Sequence, residues 1–370
     1  MFGKTIVKWV LIAANIVAVF LMLLTLIGSV LSPSKFVYPA YFALIFPIAI
    51  IVNIGFVILW LLARKWVFLL SLGALLISSS LITNTFPVHF GKKEASPANN
   101  PISLLTYNTR MNGSIKKHTR HSPNKVIQYI LDSNADIVCL QEFTVSESKE
   151  YLTQEDIFRI FKKYPFKHIQ YKQQINNNFN LSGIATFSKF PIIHKQKIDF
   201  PSKYNVSIYS DINIHGKIIR LINNHLESNR LTEHDKDMPR ELKNNFDTKR
   251  FKGITLHFSH KLAIAYKLRA SQADAVAKVI ADSPYKVIVC GDFNDVPVSY
   301  AYTTVKSKLK DAFAETGTGL GWTFNDRYYH FRIDYVFYDP YAFTPIQYKA
   351  DKVNYSDHYP ILCKLNINDI

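Results

Sequence analysis

The chain has 370 residues, 48% of them hydrophobic, and 44 Lys plus Arg against 28 Asp plus Glu, a formal charge of +16. Residues 1–99 hold a single acid, Glu94, against seven bases: Lys4, Lys8, Lys35, Arg64, Lys65, Lys92 and Lys93. That distribution excludes a wholly soluble protein and a disordered one, and leaves an apolar head joined to a basic body.

The head comes first. Residues 9–31 run without a charge, residues 40–62 form a second apolar run, and residues 66–82 a shorter third. A helix needs ~20 apolar residues to cross a bilayer core, so residues 1–83 are expected to be a three-span membrane anchor. Pro47 inside the second run is expected as a kink, which membrane helices tolerate. Lys4 and Lys8 precede the first span, and Arg64 and Lys65 lie between the second and third. The positive-inside rule then puts the amino terminus inside and the body outside a cell or inner membrane. Lys92 and Lys93 pull weakly the other way. Residues 84–101, rich in Pro, Asn and charge, read as a linker to the body at 102–370.

In the body, short apolar runs stop at polar clusters: ISLLTYN, ADIVCLQE, SGIATFS, KIIRLINNHLES, KVIVCGDFND, FRIDYVFYD and SDHYPILCKL. Helical stretches, SPNKVIQYILDS with Ser122 as its cap and KLRASQADAVAKVIADS, separate some of them. The pattern predicts an α/β layered domain, two sheets with helices outside. Cys139, Cys290 and Cys363 fall within apolar runs, so they read as buried free thiols, not as disulfides or a zinc site.

The chemistry sits where the runs end. Asn108, Glu142, His225 and Asp292 close or follow four of them, Asn294 stands two residues beyond Asp292, Asp334 lies in RIDYVF, and Asp357 and His358 are adjacent in SDHYPI. Gathered on one edge, these would make a pocket of four carboxylates, two imidazoles and two amides. Such a set needs a hard divalent cation with oxygen ligands to offset its repulsion, and it suits attack of water on phosphorus.

The motifs LLTYN, the Gln141–Glu142 pair, SGIATFSKFPI, NNHLES, LRASQA, GDFND, RIDYVF and SDHYPI, in that order, resemble those of the endonuclease/exonuclease/phosphatase superfamily, with its deoxyribonuclease I-like fold. The resemblance implies a four-layer α-β-β-α sandwich over about residues 100–368, behind the three transmembrane helices. It implies Mg²⁺, with Mn²⁺ as a substitute, held by Glu142 with help from Asn108 and Asp357. Asp292 would orient or deprotonate the water, Asn294 steady the phosphate oxygens, His225 bind phosphate, and His358, partnered by Asp334, contact phosphate or act as base. Arg269 in LRASQA is a candidate for substrate contact, with bracing of the fold as the competing reading.

Between the histidine strand and that helix, residues 229–269 carry ten bases and five acids, a solvated helical insertion or a lid. Positive charge favours an anionic phosphate ester without choosing among lipid, inositol phosphate and nucleic acid. The tether adds the bilayer as a partner, and no obligate protein partner is evident. The expected activity is a membrane-anchored phosphodiesterase, nuclease or phosphatase. The alternative is a catalytically silent module that binds phosphate ligands on the same fold.

Overall fold

A computed structural model describes residues 2–89, 100–114, 116–175, 180–232, 234, 235, 237, 238, 247–326 and 329–368. Most of the expected linker (90–99, with Lys92, Lys93 and Glu94) and residues 239–246 of the insertion lie outside the described residues.

The first apolar run forms one helix, Phe2–Val30. The second opens with a 3-10 helix, Tyr38–Ile45, and continues as the helix Phe46–Leu62 with Pro47 in its first turn. A first-turn residue has no intrahelical partner for its N–H, so Pro47 starts this helix instead of kinking it. Thr5–Val30 and Tyr38–Leu62 are long and apolar enough to cross a membrane, each with mean hydropathy 2.8. The third expected span is broken: Phe68–Ile77 and Ser79–Thr85 bend by 66°. The break falls at three consecutive serines, Ser78 to Ser80, and the Ser78 hydroxyl is buried there without a hydrogen-bond partner. The described residues thus hold two spanning helices, or three if the bent pair acts as one.

A buried polar chain ties these helices together. Trp60 Nε1 donates to Asn15 Oδ1 (3.0 Å), Asn15 Nδ2 to Ser71 Oγ (2.6 Å), and Ser71 Oγ to Asn53 Oδ1 (2.9 Å). Apolar surfaces gain little by meeting in lipid, so hydrogen bonds of this kind set the helix register.

The body's strands are β1 (Pro101–Asn108), β2 (Ile137–Ser146), β3 (Phe166–Ile175), β4 (Asn180–Ser188), β5 (Ile192–Ile198), β6 (Ser207–Ile214), β7 (Lys217–His225), β8 (Lys286–Asp292), β9 (Lys310–Asp311), β10 (Phe324–Asn325), β11 (His330–Phe331), β12 (Asp334–Tyr338), β13 (Phe343–Ala350) and β14 (Ile361–Ile367). Among the described residues they form two six-stranded sheets, β13-β14-β1-β2-β4-β3 and β5-β6-β7-β8-β12-β9, with β10–β11 a separate ribbon. Each large sheet is mixed: β1–β2 and β7–β8 are parallel and their neighbours antiparallel.

Side-chain alternation builds the layers. Ile102, Leu104, Ile137 and Cys139 of one sheet meet Ile219, Leu221, Ile288 and Cys290 of the other. On the outer face of the first sheet, Leu105, Val138 and Leu140 pack under the helix Lys125–Ser133 and Ile157 of the helix Gln154–Ile160. Beyond the second sheet, Ile222, Val287 and Val289 lie under Ala273 and Val276 of the helix Thr248–Ala281 and Tyr302 of the helix Tyr300–Lys306. All three cysteines are free and buried. The cap of the helix Lys125–Ser133 is Asn124, whose side chain accepts from Val126 N and Ile127 N, in place of the expected Ser122.

The anchor is docked on the body. Tyr41 Oη donates to Ser259 O (2.7 Å), Ser34 Oγ to Lys267 O (3.1 Å) and Arg332 Nη2 to Asn84 O (2.5 Å). Val296 and Val298 join an apolar cluster with Met22, Ala43 and Phe46.

One buried histidine links the sheets. His168 on β3 sets Nδ1 3.0 Å from Ser210 Oγ on β6. Burial pushes its pKa down to about 4, helped by Lys195 and His194. Below the unfolded value of about 6.5, the unfolded chain binds a proton that the folded chain refuses. Stability should therefore fall as pH drops through this window and level off below it, by up to ~3 kcal/mol at this site. His168→Gln should flatten that part of the profile when unfolding midpoints of the detergent-solubilised protein are compared near pH 7 and about pH 4.5. Parallel profiles for parent and variant would assign the acid sensitivity elsewhere.

Candidate active site

The inter-sheet face turns polar at one end. Along β1 it reads Ile102, Leu104, Thr106, Asn108, and along β7 Ile219, Leu221, Asn223, His225. Along β8 it reads Ile288, Cys290, Asp292, and backwards along β12 Tyr338, Val336, Asp334. The same alternation that buries the core thus carries four functional side chains to its edge. His225 pairs with Asp292 across the parallel ladder, and Asp334 pairs with Asp292 across the antiparallel one. Where core gives way to site, Gln141 Nε2 donates to Asn223 Oδ1 (2.7 Å), a polar bridge between the sheets.

Glu142 reaches this edge by a different device. Alternation along β2 would place it with Val138 and Leu140 under the helices. The β2–β4 register shifts between Gln141 and Phe143, and Glu142 has φ +50. This bulge lets Phe143 and Val145 take over the outer face and turns Glu142 toward the inter-sheet edge.

The polar groups then interlock. Asn108 Nδ2 donates to Asp292 Oδ2 (2.9 Å) and lies 3.5 Å from Glu142 Oε1. His225 Nε2 is 3.8 Å from Asp292 Oδ2 and 4.0 Å from Glu142 Oε1. His358 Nδ1 lies 2.8 Å from Asp334 Oδ2, with Nε2 3.7 Å from Asp292 Oδ2. Asn294, beyond the strand in a left-handed conformation (φ +52), donates from Nδ2 to Leu226 O (3.0 Å) and Asp292 Oδ2 (3.2 Å) and from its backbone N–H to Asp292 Oδ1 (2.7 Å). Gly291 (φ +119) is required immediately before Asp292, since a Cβ there would sit 2.1 Å from Asn224 O. Asp357 lines the same cleft and lies 3.6 Å from Arg110 Nε.

Burial opposes charge at His358, Asp292, His225 and Glu142, and at His358 alone of these four the neighbouring charges outweigh it. Burial pulls His358 toward neutrality, but the carboxylates of Asp334 and Asp292 outweigh it and push its pKa up to about 10. Burial pushes Asp292 up to about 6 against the pull of His358. Burial lowers His225 below its ordinary value, leaving it neutral at neutral pH. Glu142 is raised by burial, with the Asp357 charge adding and His358 opposing. Its side chain is still 37% exposed, so it is a carboxylate open at the mouth that the protein leaves undercompensated. A divalent cation fits that deficit. Ligand atoms of Asp292, Asp334 and His358 lie within 4.8 Å of one another, although the Asp334–His358 hydrogen bond already uses two of them.

Eight of the nine expected site residues therefore converge. Arg269 does not serve as a substrate contact. It is 1% exposed, and its guanidinium is spent on Glu227 O (2.8 Å), Asp295 Oδ2 (2.6 Å) and Asn229 Oδ1 (2.6 Å). Two supporting residues carry no sequence signal beyond their neighbours. Thr323 Oγ1 accepts from the N–H groups of Ile333 (3.1 Å) and Asp334 (3.0 Å), fixing the start of β12. Ser356 Oγ donates to Asn108 O (2.8 Å) and accepts from His358 N (3.2 Å). The edge opens into a cleft of about 390 Å³, which Glu142, Asp292, Asn294, Asp357 and His358 share with Phe324, Phe258 and Leu44.

The endonuclease/exonuclease/phosphatase family model matches residues 105–358, a span that contains all of these polar groups. The chain belongs to the endonuclease/exonuclease/phosphatase family. Residues 8–85 match a domain of unknown function, DUF8431. No curated protein matches the chain. Solved structures similar to this family member include the human Nocturnin catalytic domain with bound sulfate (17% identity, 74% of this chain and 95% of that one, TM-score 0.49). Others are family proteins from Bacteroides vulgatus (18% identity, 73% and 100%, TM-score 0.48) and Beutenbergia cavernae (15% identity, 73% and 72%, TM-score 0.46).

The bracing role of Arg269 is testable. Arg269→Met strands the buried Asp295 carboxylate, and breaking a buried pair in this way costs ~3–5 kcal/mol. The urea midpoint of the solubilised protein should fall accordingly. A raised KM with an unaltered midpoint would return Arg269 to the substrate.

Proposed function

We propose that this family member is a membrane-anchored, divalent-metal-dependent phosphoesterase. One observation carries the reading: strand ends from both sheets deliver Asn108, Glu142, His225, Asp292 and Asp334 to one edge, within reach of His358. A silent phosphate-binding module would have no need of a buried carboxylate such as Asp292, which would repel its ligand.

Glu142, Asn108 and Asp357 would hold the cation, Mg²⁺ or Mn²⁺, through hard oxygen donors. When bound, the cation supplies Lewis-acid stabilisation of charge on the phosphoryl oxygens. Asp292, fixed by Asn108 and by both donors of Asn294, accepts a proton from the attacking water or orients it. His358, kept protonated by Asp334 and Asp292, offers Nε2–H to a phosphate oxygen and is poorly suited to act as base at neutral pH. His225, neutral, offers the phosphate a second donor. Asn294 is placed to steady a phosphate oxygen while bracing Asp292. Asp334 is a positioning residue that sets the orientation of His358.

The body, 102–370, carries the reaction and residues 1–83 the tether to the bilayer. Lys4 and Lys8 in the first turns of the first helix favour an inside amino terminus, and the body then lies outside a cell or inner membrane when the bent pair acts as the third span.

Asp292→Ala and His358→Ala should each lower kcat/KM on bis(p-nitrophenyl) phosphate by ~10²–10⁴-fold, with little change in thermal midpoint for Asp292→Ala and a lowered midpoint for His358→Ala, which leaves two buried carboxylates without their cation. Chelation should abolish turnover and added Mg²⁺ or Mn²⁺ restore it. Phosphate binding without chelator-sensitive turnover in the parent would instead establish the silent-module reading.

A further inference from the structure

The anchor contributes one residue to the lining of the catalytic cleft. Leu44, from the 3-10 helix that leads into the second span, lines the cleft with Glu142, Asp292 and His358. Leu231, Phe258, Leu262, Val296 and Phe331 complete an apolar wall opposite the carboxylates. A site for a small soluble phosphate ester has no use for such a surface.

The apolar wall also continues. A second groove of about 190 Å³ shares Leu44, Val296 and Phe331 with the cleft and runs to Ala43, Pro47, Thr85 and Trp322. One end of this path is a phosphoester site, and the other lies among the body-facing ends of the membrane helices. Contacts at Ser34, Tyr41 and Asn84 fix those ends against the body. The helix Thr248–Ala281 supplies the cleft residues Phe258, Leu262 and Tyr266, and it exposes Phe251 between Arg250 and Lys252, and Leu256 and Ile264 on either side of Lys261. Apolar side chains flanked by cations are the composition of a helix lying in the bilayer interface.

We propose that the substrate is a membrane phospholipid that enters sideways from the bilayer. Its phosphoester sits at Asp292 and His358, and one acyl chain lies along Leu44, Val296 and Phe331 toward Pro47. This deepens the phosphoesterase reading and rests on it. Water adds to phosphorus, one ester P–O bond breaks, and the departing alcohol oxygen takes up a proton. No oxidant or further co-reactant is needed.

The test uses the full chain reconstituted with Mg²⁺ in vesicles of equal parts phosphatidylcholine and phosphatidylglycerol, with lipid products read by mass spectrometry. Bis(p-nitrophenyl) phosphate and a single-stranded oligonucleotide are assayed in parallel. Lipid should be consumed, and Leu44→Lys should lower the ratio of lipid to soluble-ester turnover by about tenfold or more. A phospholipid with a diazirine at the end of its acyl chain gives a readout on the unmodified protein, with adducts expected on Leu44, Pro47, Val296 or Phe331. Intact lipid alongside a hydrolysed soluble ester overturns the lipid assignment and leaves the phosphoesterase standing. Preference for the oligonucleotide, an unchanged turnover ratio in the variant, or adducts confined to the outer faces of the membrane helices also overturns it. Turnover of none of the three overturns both readings.

Discussion

A single buried imidazolium makes the rest of the site possible. Asp292 and Asp334 face each other across an antiparallel ladder, both almost wholly buried. Two such carboxylates in a low-dielectric interior repel strongly, and one would ordinarily stay protonated. His358 sits between them, 2.8 Å from Asp334 and 3.7 Å from Asp292 by its two ring nitrogens. The resulting charge pairing explains why the histidine is driven up while Asp292 rises only to about 6. Without the histidine, Asp292 would have no local cation to hold it in the form that can accept a proton. Without Asp334, the imidazole would have no partner to fix its orientation.

The scaffold supplies that arrangement almost as a by-product of its core. A residue's membership of the inter-sheet face is a matter of parity, so Asp292 is on it because Ile288 and Cys290 are. The same holds for His225 after Ile219 and Leu221. This is why the seven expected strand runs, and the meeting of Asn108, His225, Asp292 and Asp334 at one edge, were legible in the sequence: the apolar stretches gave the strands and their polar endings gave the edge. Sheet order and parallel pairing were not, because nothing local encodes which strand finds which neighbour. Strands β3, β5, β6 and β13 escaped for a different reason. Runs such as IIHKQKI and FTPIQYKA carry mixed polar and apolar residues, as edge strands and their neighbours tolerate.

Three local features overrode simple pattern reading. Parity alone would have buried Glu142 under the helices, and only the bulge at Gln141–Phe143 brings it to the edge. Arg269 is a cation in a motif near the site, but its three partners lie within the protein. Ser78 to Ser80 interrupt a run whose hydropathy would otherwise read as one span. In the first two cases the deciding term is tertiary, and it is not visible in a hydropathy pattern.

The joint between anchor and body ties position in the membrane to chemistry. Arg332 holds Asn84 at the end of the last membrane helix through one nitrogen and the buried Asp311 through another. Two residues later the chain reaches Asp334, and Val296, two residues past Asn294, packs on Ala43 and Phe46 of the anchor. A body swinging freely on a linker would have no reason to bury its own site-adjacent residues against the membrane helices, since each such contact restricts its reach to distant substrates. Docking restricts the cleft to one depth and one facing. That restriction suits the proposed lipid substrate, whose ester would be held at the bilayer surface.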